Sequence, residues 1–166
     1  MPSLKDYRDR IASVKSTKKI TSAMKMVAAS KLKKAQTQAE ASQPYSRAMG
    51  EMLARVAKGV TITDASPKLL IGTGAEKSHL LVVVTSDRGL CGGFNGNLVR
   101  LARLEIARLE GEGKDVKIIT VGRKARDLLK RAHKEKMIEN FIGIGNNSVQ
   151  FSEANQITQM ILDNFE

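Results

Sequence analysis

The chain has 166 residues, of which 42% are hydrophobic and only 4% aromatic, and it carries a net charge of +11. This length allows one ordinary hydrophobic core plus one element outside it, and it excludes a second full-sized domain. No run of about 18 apolar residues occurs, and the opening MPSLKDYRDR leads into a charged segment, so neither a membrane span nor a signal peptide is expected. We therefore expect a soluble protein that is not exported.

The segment from Leu4 to Val56 is nearly free of glycine and rich in Ala, Lys, Met and Gln, which predicts one long helix. Pro44 lacks the backbone N–H that a helix interior needs, so we expect a kink or a break near Gln43, with the helical pattern resuming after it. Gly59 is the expected end of the helical segment.

Apolar or small residues recur along this segment at steps of three, four and seven, which places them in one stripe on the helix. The stripe resembles a coiled-coil seam, although Lys18 and Lys25 occupy positions where a strict heptad repeat has apolar residues. An amphipathic helix of this kind is not stable alone in water, so we expect the seam to lie against another helix. The predicted seam residues are Tyr7, Ile11, Val14, Thr21, Met24, Ala28, Leu32 and Ala35.

Basic charge is concentrated in the same segment: residues 1–60 hold 13 Lys or Arg against four Asp or Glu, and residues 61–166 hold 15 against 13. A solvated surface is the ordinary explanation of such a run. Uncompensated repulsion nevertheless costs a few tenths of a kcal/mol per like pair, which favours an acidic surface opposite the lysines. The segment has few Arg, Asn or aromatic residues, so an acidic protein is preferred and a basic nucleic-acid-binding protein is the alternative.

Residues 60–77 are rich in Gly, Pro, Ser and Thr and are predicted to be a linker. Residues 78–166 alternate short apolar runs with helical patterns, which predicts an α/β domain with a parallel, Rossmann-like sheet and right-handed crossovers. The fold class is therefore α/β, with a long N-terminal coiled-coil helix (residues 1–59) preceding the sheet domain. The predicted strands are His79–Ser86, Val116–Val121 and Met137–Phe141, and the predicted helices are Asn97–Leu109, Arg123–His133 and Ser152–Phe165, the last capped by Ser152.

A glycine-rich turn, TSDRGLCGGFNGN, follows the first predicted strand and opens a helix, where Rossmann-like sheets hold phosphate. Its glycines match neither G-x-G-x-x-G nor a P-loop, so a structural turn is favoured over a phosphate site, and a nucleotide-binding enzyme is only a third hypothesis. The exposed end of a strand is still a good docking surface.

Residues able to carry chemistry are isolated from one another in the sequence. Cys91 has no candidate base nearby except Asp87, and Asp87 itself sits at an ordinary turn position, as do Asp64 and Asp115. His79 and His133 have no companions at metal-ligand spacing. We expect no catalytic residue, no metal site and no cofactor.

Two strings resemble the γ subunit of F-type ATP synthases: IASVKSTKKITSAMKMVAASKLKKA, residues 11–35, and SDRGLCGGFN, residues 86–95. The first is similar to the N-terminal helix of the rotor shaft and the second to the turn after the first strand of the family's Rossmann-like domain. The resemblance implies a non-catalytic shaft that couples proton or other ion flow to ATP synthesis or hydrolysis by rotation, in a hetero-oligomer at the cytoplasmic side of the bacterial inner membrane.

The resemblance also implies partners. The helix would run through the ring of α and β subunits and meet acidic loops of β, the turn would face the same region of β, and the α/β domain would touch the ε subunit and the c ring. No nucleic acid is expected as a partner. Family members continue beyond this point with the rest of the domain and a C-terminal helix antiparallel to the first, which implies the missing companion of the seam. The implied contact residues are Lys18, Lys19, Met24, Lys25, Lys31, Arg88, Cys91 and Gly92.

Overall fold

The computed structural model of the chain describes residues 3–59, 61, 63, 66–146 and 148–165. It divides into two compact units, Met1–Thr61 and Ile62–Glu166. The first unit holds one long helix, and the second holds the sheet and the remaining helices.

Helix α1 (Leu4–Gly59) runs for 56 residues and ends at the glycine that the sequence predicted. Ser3 and Asp6 cap its first turn: the Ser3 N–H and hydroxyl donate to Asp6 Oδ2 at 2.7 and 3.0 Å, and the Asp6 N–H donates back to Ser3 Oγ at 3.3 Å. These bonds hold the pKa of Asp6 below its ordinary value, with the backbone donor of Ser3 as the main cause. The reciprocal bonds satisfy donors that a helix start leaves unpaired.

Pro44 lies inside α1, and the helix continues through it without interruption. The expected break near Gln43 is therefore wrong, and the kink stays a prediction. A proline removes a single hydrogen bond of the helix ladder, the one to the carbonyl four residues before it. The other turns of so long a helix are unaffected, so the helix persists on both sides.

The predicted linker contains one short helix, α2 (Lys68–Ile71), which the sequence did not predict. It follows Pro67, whose carbonyl accepts hydrogen bonds from the N–H groups of Leu70 and Ile71 at 2.8 and 3.3 Å. Four residues give too little period for a sequence pattern to be recognised.

Three parallel strands form the sheet of the second unit in the order β1-β2-β3. The predicted elements are confirmed, with small differences at their ends. Helix α3 starts three residues earlier than predicted, and α5 is preceded by Gln150, not capped by Ser152. The strands are β1 (Ser78–Val84), β2 (Asp115–Val121) and β3 (Met137–Phe141), and the helices are α3 (Phe94–Gly111), α4 (Arg123–His133) and α5 (Phe151–Asp163).

Glu153 explains the start of α5. Its carboxylate accepts the N–H of Gln150 at 3.0 Å and that of Gly145 at 3.2 Å, so an acidic side chain in the first turn ties the helix to the loop before it. Such an acceptor stabilises a helix N-terminus through its unpaired donors and its dipole.

The core lies between the sheet and the helix pair α3 and α4, which contact each other and share one face of it. Alternate residues of β2 point to this face, because side chains alternate along a strand. On the other face Lys117 of β2 donates to Asn164, just after α5, at 3.3 Å, so α5 lies opposite α3 and α4. The core cluster comprises Val83, Val99, Ala102, Ile106, Leu109, Val116, Ile118, Ala125 and Leu129.

Gly122, just after β2, allows a close approach to the backbone of Thr85, just after β1. Its φ of +105° is a conformation that side chains rarely adopt, and a Cβ there would lie 2.2 Å from the carbonyl oxygen of Thr85. The close approach also lets Thr85 Oγ1 accept the N–H of Ala125 at 2.8 Å, a buried bond between the end of β1 and the start of α4.

Gly122→Ala is expected to destabilise the second unit by on the order of 3 kcal/mol, because both the backbone conformation and the contact with Thr85 become unfavourable. Urea unfolding followed by circular dichroism measures this change. Gly111→Ala is the control: a Cβ at Gly111 meets nothing within 4 Å, and a change within about 1 kcal/mol is expected there. Equal unfolding curves for the two variants would contradict the assignment.

Candidate functional site

The predicted seam of α1 is uncovered within its unit. No described residue of the helix is buried, and Ile11, Met24 and Leu32 are 54%, 52% and 59% exposed. The hydroxyl of Thr21 donates to the carbonyl of Thr17 at 3.0 Å, so its polar group is satisfied inside the helix and its methyl group suits an apolar seam. The seam is thus a continuous surface able to bind another helix.

The basic side chains in the middle of α1 have no acidic neighbours along the helix. From Arg10 to Ala39 the sequence contains no Asp or Glu, so pairs three or four residues apart cannot form there. Within the part of the chain that the structure describes, Lys18, Lys19, Lys25 and Lys31 make no ion pair. Their charge is available to an acidic partner.

A second surface lies at the carboxyl edge of the sheet, in the loop of residues 86–93, which we name the edge loop. The side chain of Asn95, in the first turn of α3, fills the inside of this loop. Its Oδ1 accepts the N–H of Ser86 at 3.0 Å, and its Nδ2 donates to Ser86 Oγ at 2.9 Å and to Cys91 Sγ at 3.0 Å. Only 7% of Asn95 is exposed, so these bonds are largely shielded from water and hold the loop in one shape.

Asp87 ties the edge loop to its two neighbours. Its Oδ1 accepts the N–H of Arg123, at the start of α4, and its Oδ2 accepts the N–H of Gly143, just after β3, both at 2.8 Å. One carboxylate therefore joins the ends of all three strands. The sequence analysis missed this role and treated Asp87 as a turn residue. A signal was available, since an acidic residue directly after a buried parallel strand lies at the edge where the neighbouring strands also end.

The tip of the edge loop brings together three predicted contact residues, Arg88, Cys91 and Gly92, all exposed. It also presents Leu90, which was not predicted: 94% of this residue is exposed, and its φ of +63° lies in the left-handed region. The sequence did contain a signal for Leu90, since it is an apolar residue in an exposed turn, between Gly89 and the Cys91-Gly92 pair. The arrangement offers a cation and an apolar side chain on a braced loop, which suits contact with a protein.

The groups with displaced pKa values lie away from the edge loop. A hydrogen bond from Arg108 lowers the pKa of Glu105, and one from Lys136 lowers the pKa of Glu110, with N–O distances of 2.6 and 2.7 Å. Carboxyls with lowered pKa values stabilise the fold above their ordinary titration range and lose that contribution as the pH falls. These are surface ion pairs that support α3 and the turn before β3.

Neither a metal cluster nor a membrane span is found in the described residues. No three His, Cys, Asp or Glu side chains gather there as a cation would need. None of the described helices combines the length and the apolar character needed to cross a bilayer.

A sequence model of the ATP synthase family matches residues 3–166. The chain belongs to this family. It is 53% identical to the ATP synthase gamma chain of Parvibaculum lavamentivorans over all of its length and 56% of that protein, and 53% identical to the one of Rhizobium leguminosarum bv. trifolii over 98% of its length and 55% of that protein. The chain thus spans a little over half the length of the curated gamma chains it matches.

The fold is also that of an ATP synthase central stalk. A chain in the central stalk and c-ring structure of the Tetrahymena thermophila mitochondrial ATP synthase superimposes with a TM-score of 0.62 at 31% identity, over 88% of the present chain and 60% of that chain. The predicted fold class, a long N-terminal helix followed by a parallel sheet domain, is confirmed. The alternative of a nucleic-acid-binding protein finds no support in these similarities.

Asn95→Ala is expected to loosen the edge loop and to cost about 1–3 kcal/mol, because the N–H of Ser86 loses its acceptor in a largely buried place. Limited proteolysis with trypsin, followed by mass spectrometry, measures cleavage between Arg88 and Gly89, which should become several-fold faster. Asn97→Ala makes the same change at an exposed position two residues away and should leave the cleavage rate unaltered. Equal rates in both variants would show that Asn95 does not brace the loop.

Proposed function

We propose that this chain is the N-terminal part of the rotor shaft of an F-type ATP synthase, that it transmits torque, and that it is not itself catalytic. The uncovered seam of α1 is the observation that carries the proposal, together with Lys18, Lys19, Lys25 and Lys31, which make no ion pair within the described residues. A helix of 56 residues is about 84 Å long, enough to reach through a large protein assembly. Such a helix buries its apolar stripe only where other chain segments surround it.

The seam of α1 is proposed to pair with a helix from the part of the gamma chain that follows residue 166 in the relatives. The relatives are nearly twice as long as this chain, so length for a second helix is present in them. Antiparallel pairing would cover seam residues from Tyr7 to Ala35 along one side. Lys18 and Lys25, at positions where a strict heptad repeat has apolar residues, would make this coiled coil irregular.

The lysine face is proposed to meet acidic loops of the β subunits. Opposite charges fix register and speed assembly more than they add to net affinity, which suits a contact that is remade at each rotation step. An off-axis, curved coiled coil presents a different side to each β subunit, so each catalytic site would adopt a different conformation. Ion flow would in this way alter nucleotide affinity in the ring, without nucleotide binding by this chain.

The second unit is proposed to form the foot of the rotor. Its edge loop, with Arg88, Cys91 and Gly92, would face the β subunits, and the rest of the domain would touch the ε subunit and the c ring. Association with the bacterial inner membrane would then be peripheral, on the cytoplasmic side, and made through the complex.

Met24→Lys in a complete gamma chain of this sequence is expected to impair coupling more than folding. The change adds a charge to the seam beside Lys25, while the helix keeps its hydrogen bonds and Lys is a good helix former. The ratio of protons pumped to ATP hydrolysed, measured on vesicles carrying the assembled complex, should fall, whereas the circular dichroism of the free subunit should be unchanged.

Ser22→Lys is the matched control, because it adds the same charge about 160° around the helix from Met24. Its coupling ratio should remain near that of the unmodified complex. Coupling that is equally preserved or equally lost in both variants would contradict the contact assigned to Met24. Failure of the complete chain to assemble with α and β subunits at all would overturn the proposed function itself.

A further inference from the structure

Asp87 differs from an ordinary turn residue because its hydrogen-bond partners lie far from it in the sequence. The two N–H groups that its carboxylate accepts belong to residues 36 and 56 positions later. Asn95 already holds the internal shape of the edge loop, so a second brace of the same loop would be redundant for shape alone. What Asp87 adds is a connection between this loop and the loops after β2 and β3.

Leu90 supplies a second, independent observation. A leucine in the left-handed region is strained, and it persists only where its surroundings enforce it. With 94% of the residue exposed, the side chain gains nothing from its own domain in return. A strained residue that holds an apolar side chain out to solvent is explained by a contact with another molecule.

We propose that Asp87 is a positioning residue, which locks the three strand ends into one platform and so sets the direction in which the edge loop presents Arg88 and Leu90 to a protein partner. The inference rests on the proposed function, in which that partner is the β subunit. A loop tethered only by its own two ends would spread the side chains over many orientations, and docking would cost the entropy of ordering them. The tether from Asp87 removes most of that cost before docking.

Two neighbouring substitutions test the tether without touching the loop tip. Asp87→Asn keeps the size of the side chain but places an amide donor opposite one of the two N–H groups. Arg123→Pro removes the N–H that Asp87 Oδ1 accepts; Arg123 is the first residue of α4, where proline is well tolerated. Arg123→Ala keeps this N–H and is the control for Arg123→Pro. Asp115→Asn is the control for Asp87→Asn, because it replaces a carboxylate by an amide at the amino edge of the sheet.

The readout is a double-mutant cycle with Arg88→Ala, measured as the dissociation constant of complete gamma-chain variants for rings of α and β subunits. Arg88→Ala alone is expected to weaken binding about fivefold or more. In the Asp87→Asn or Arg123→Pro background the same change should weaken it by less than about twofold, because Arg88 is no longer held toward its partner. In the Arg123→Ala and Asp115→Asn backgrounds, Arg88→Ala should weaken binding as much as it does in the unmodified chain.

The possible results of this cycle separate the role of Asp87 from the contact made by the edge loop. Additive effects of Asp87→Asn and Arg88→Ala would overturn the positioning role while leaving the loop contact intact. No effect of Arg88→Ala alone would overturn the proposed contact of the edge loop and, with it, the role of Asp87. A purely structural role would lower the free energy of unfolding in every combination without changing the coupling between the two sites. If Asp87→Asn fails to fold, the comparison of Arg123→Pro with Arg123→Ala decides the question alone.

Discussion

A long helix with an apolar stripe and no buried residue among those described needs other chain segments to cover it. Isolated helices in water are stabilised by side-chain pairs along their surface, and α1 has no acidic residue between Arg10 and Ala39 to make them. Its exposed Ile11, Met24 and Leu32 are the surface through which tertiary burial would stabilise it. The composition of the segment therefore specifies a helix, and its full stabilisation would require burial of this surface.

The sheet domain satisfies most of its requirements internally. Apolar runs form β1 and β2, the pair α3 and α4 covers one face of the sheet, and the ion pairs Arg108–Glu105 and Lys136–Glu110 lie within the same unit. Its charges nearly balance, 15 basic against 13 acidic residues over residues 61–166. The second unit thus has its own core and nearly balanced charges, whereas no described residue of α1 is buried and no acidic residue lies between Arg10 and Ala39.

Sequence patterns predicted what depends on local chemistry. The apolar run of β2 and the amphipathic pattern of α4 predicted these elements to within one residue, because a buried parallel strand is a nearly continuous apolar run in the sequence. The patterns failed where the deciding interaction was not local or where the segment was very short. Pro44 does not break α1, α2 is one turn long, and the start of α5 depends on Glu153 reaching back to Gly145.

The same reasoning explains which site residues could be predicted. Arg88, Cys91 and Gly92 belong to a contiguous string, so a resemblance carried by that string identified them together. Asp87 acts through N–H groups of Arg123 and Gly143, which a single sequence does not place beside it. Its importance depends on the parallel order of the strands, which brings three chain segments to one edge.

The hydrogen bonds at that edge and the uncovered seam of α1 suit the mechanical task of the proposed rotor shaft. A shaft transmits torque only if the surface that pushes on its surroundings does not deform before they do. Asn95 and Asp87 restrain the edge loop through hydrogen bonds that are each modest, about 0.5–1.5 kcal/mol or somewhat more for the charged one, but that act on the same short segment. Leu90, at the tip of the same loop, has a φ of +63° in the left-handed region. The edge loop is thus hydrogen-bonded from inside by Asn95 and to its neighbours by Asp87, as a contact that transmits force in the proposed shaft would require.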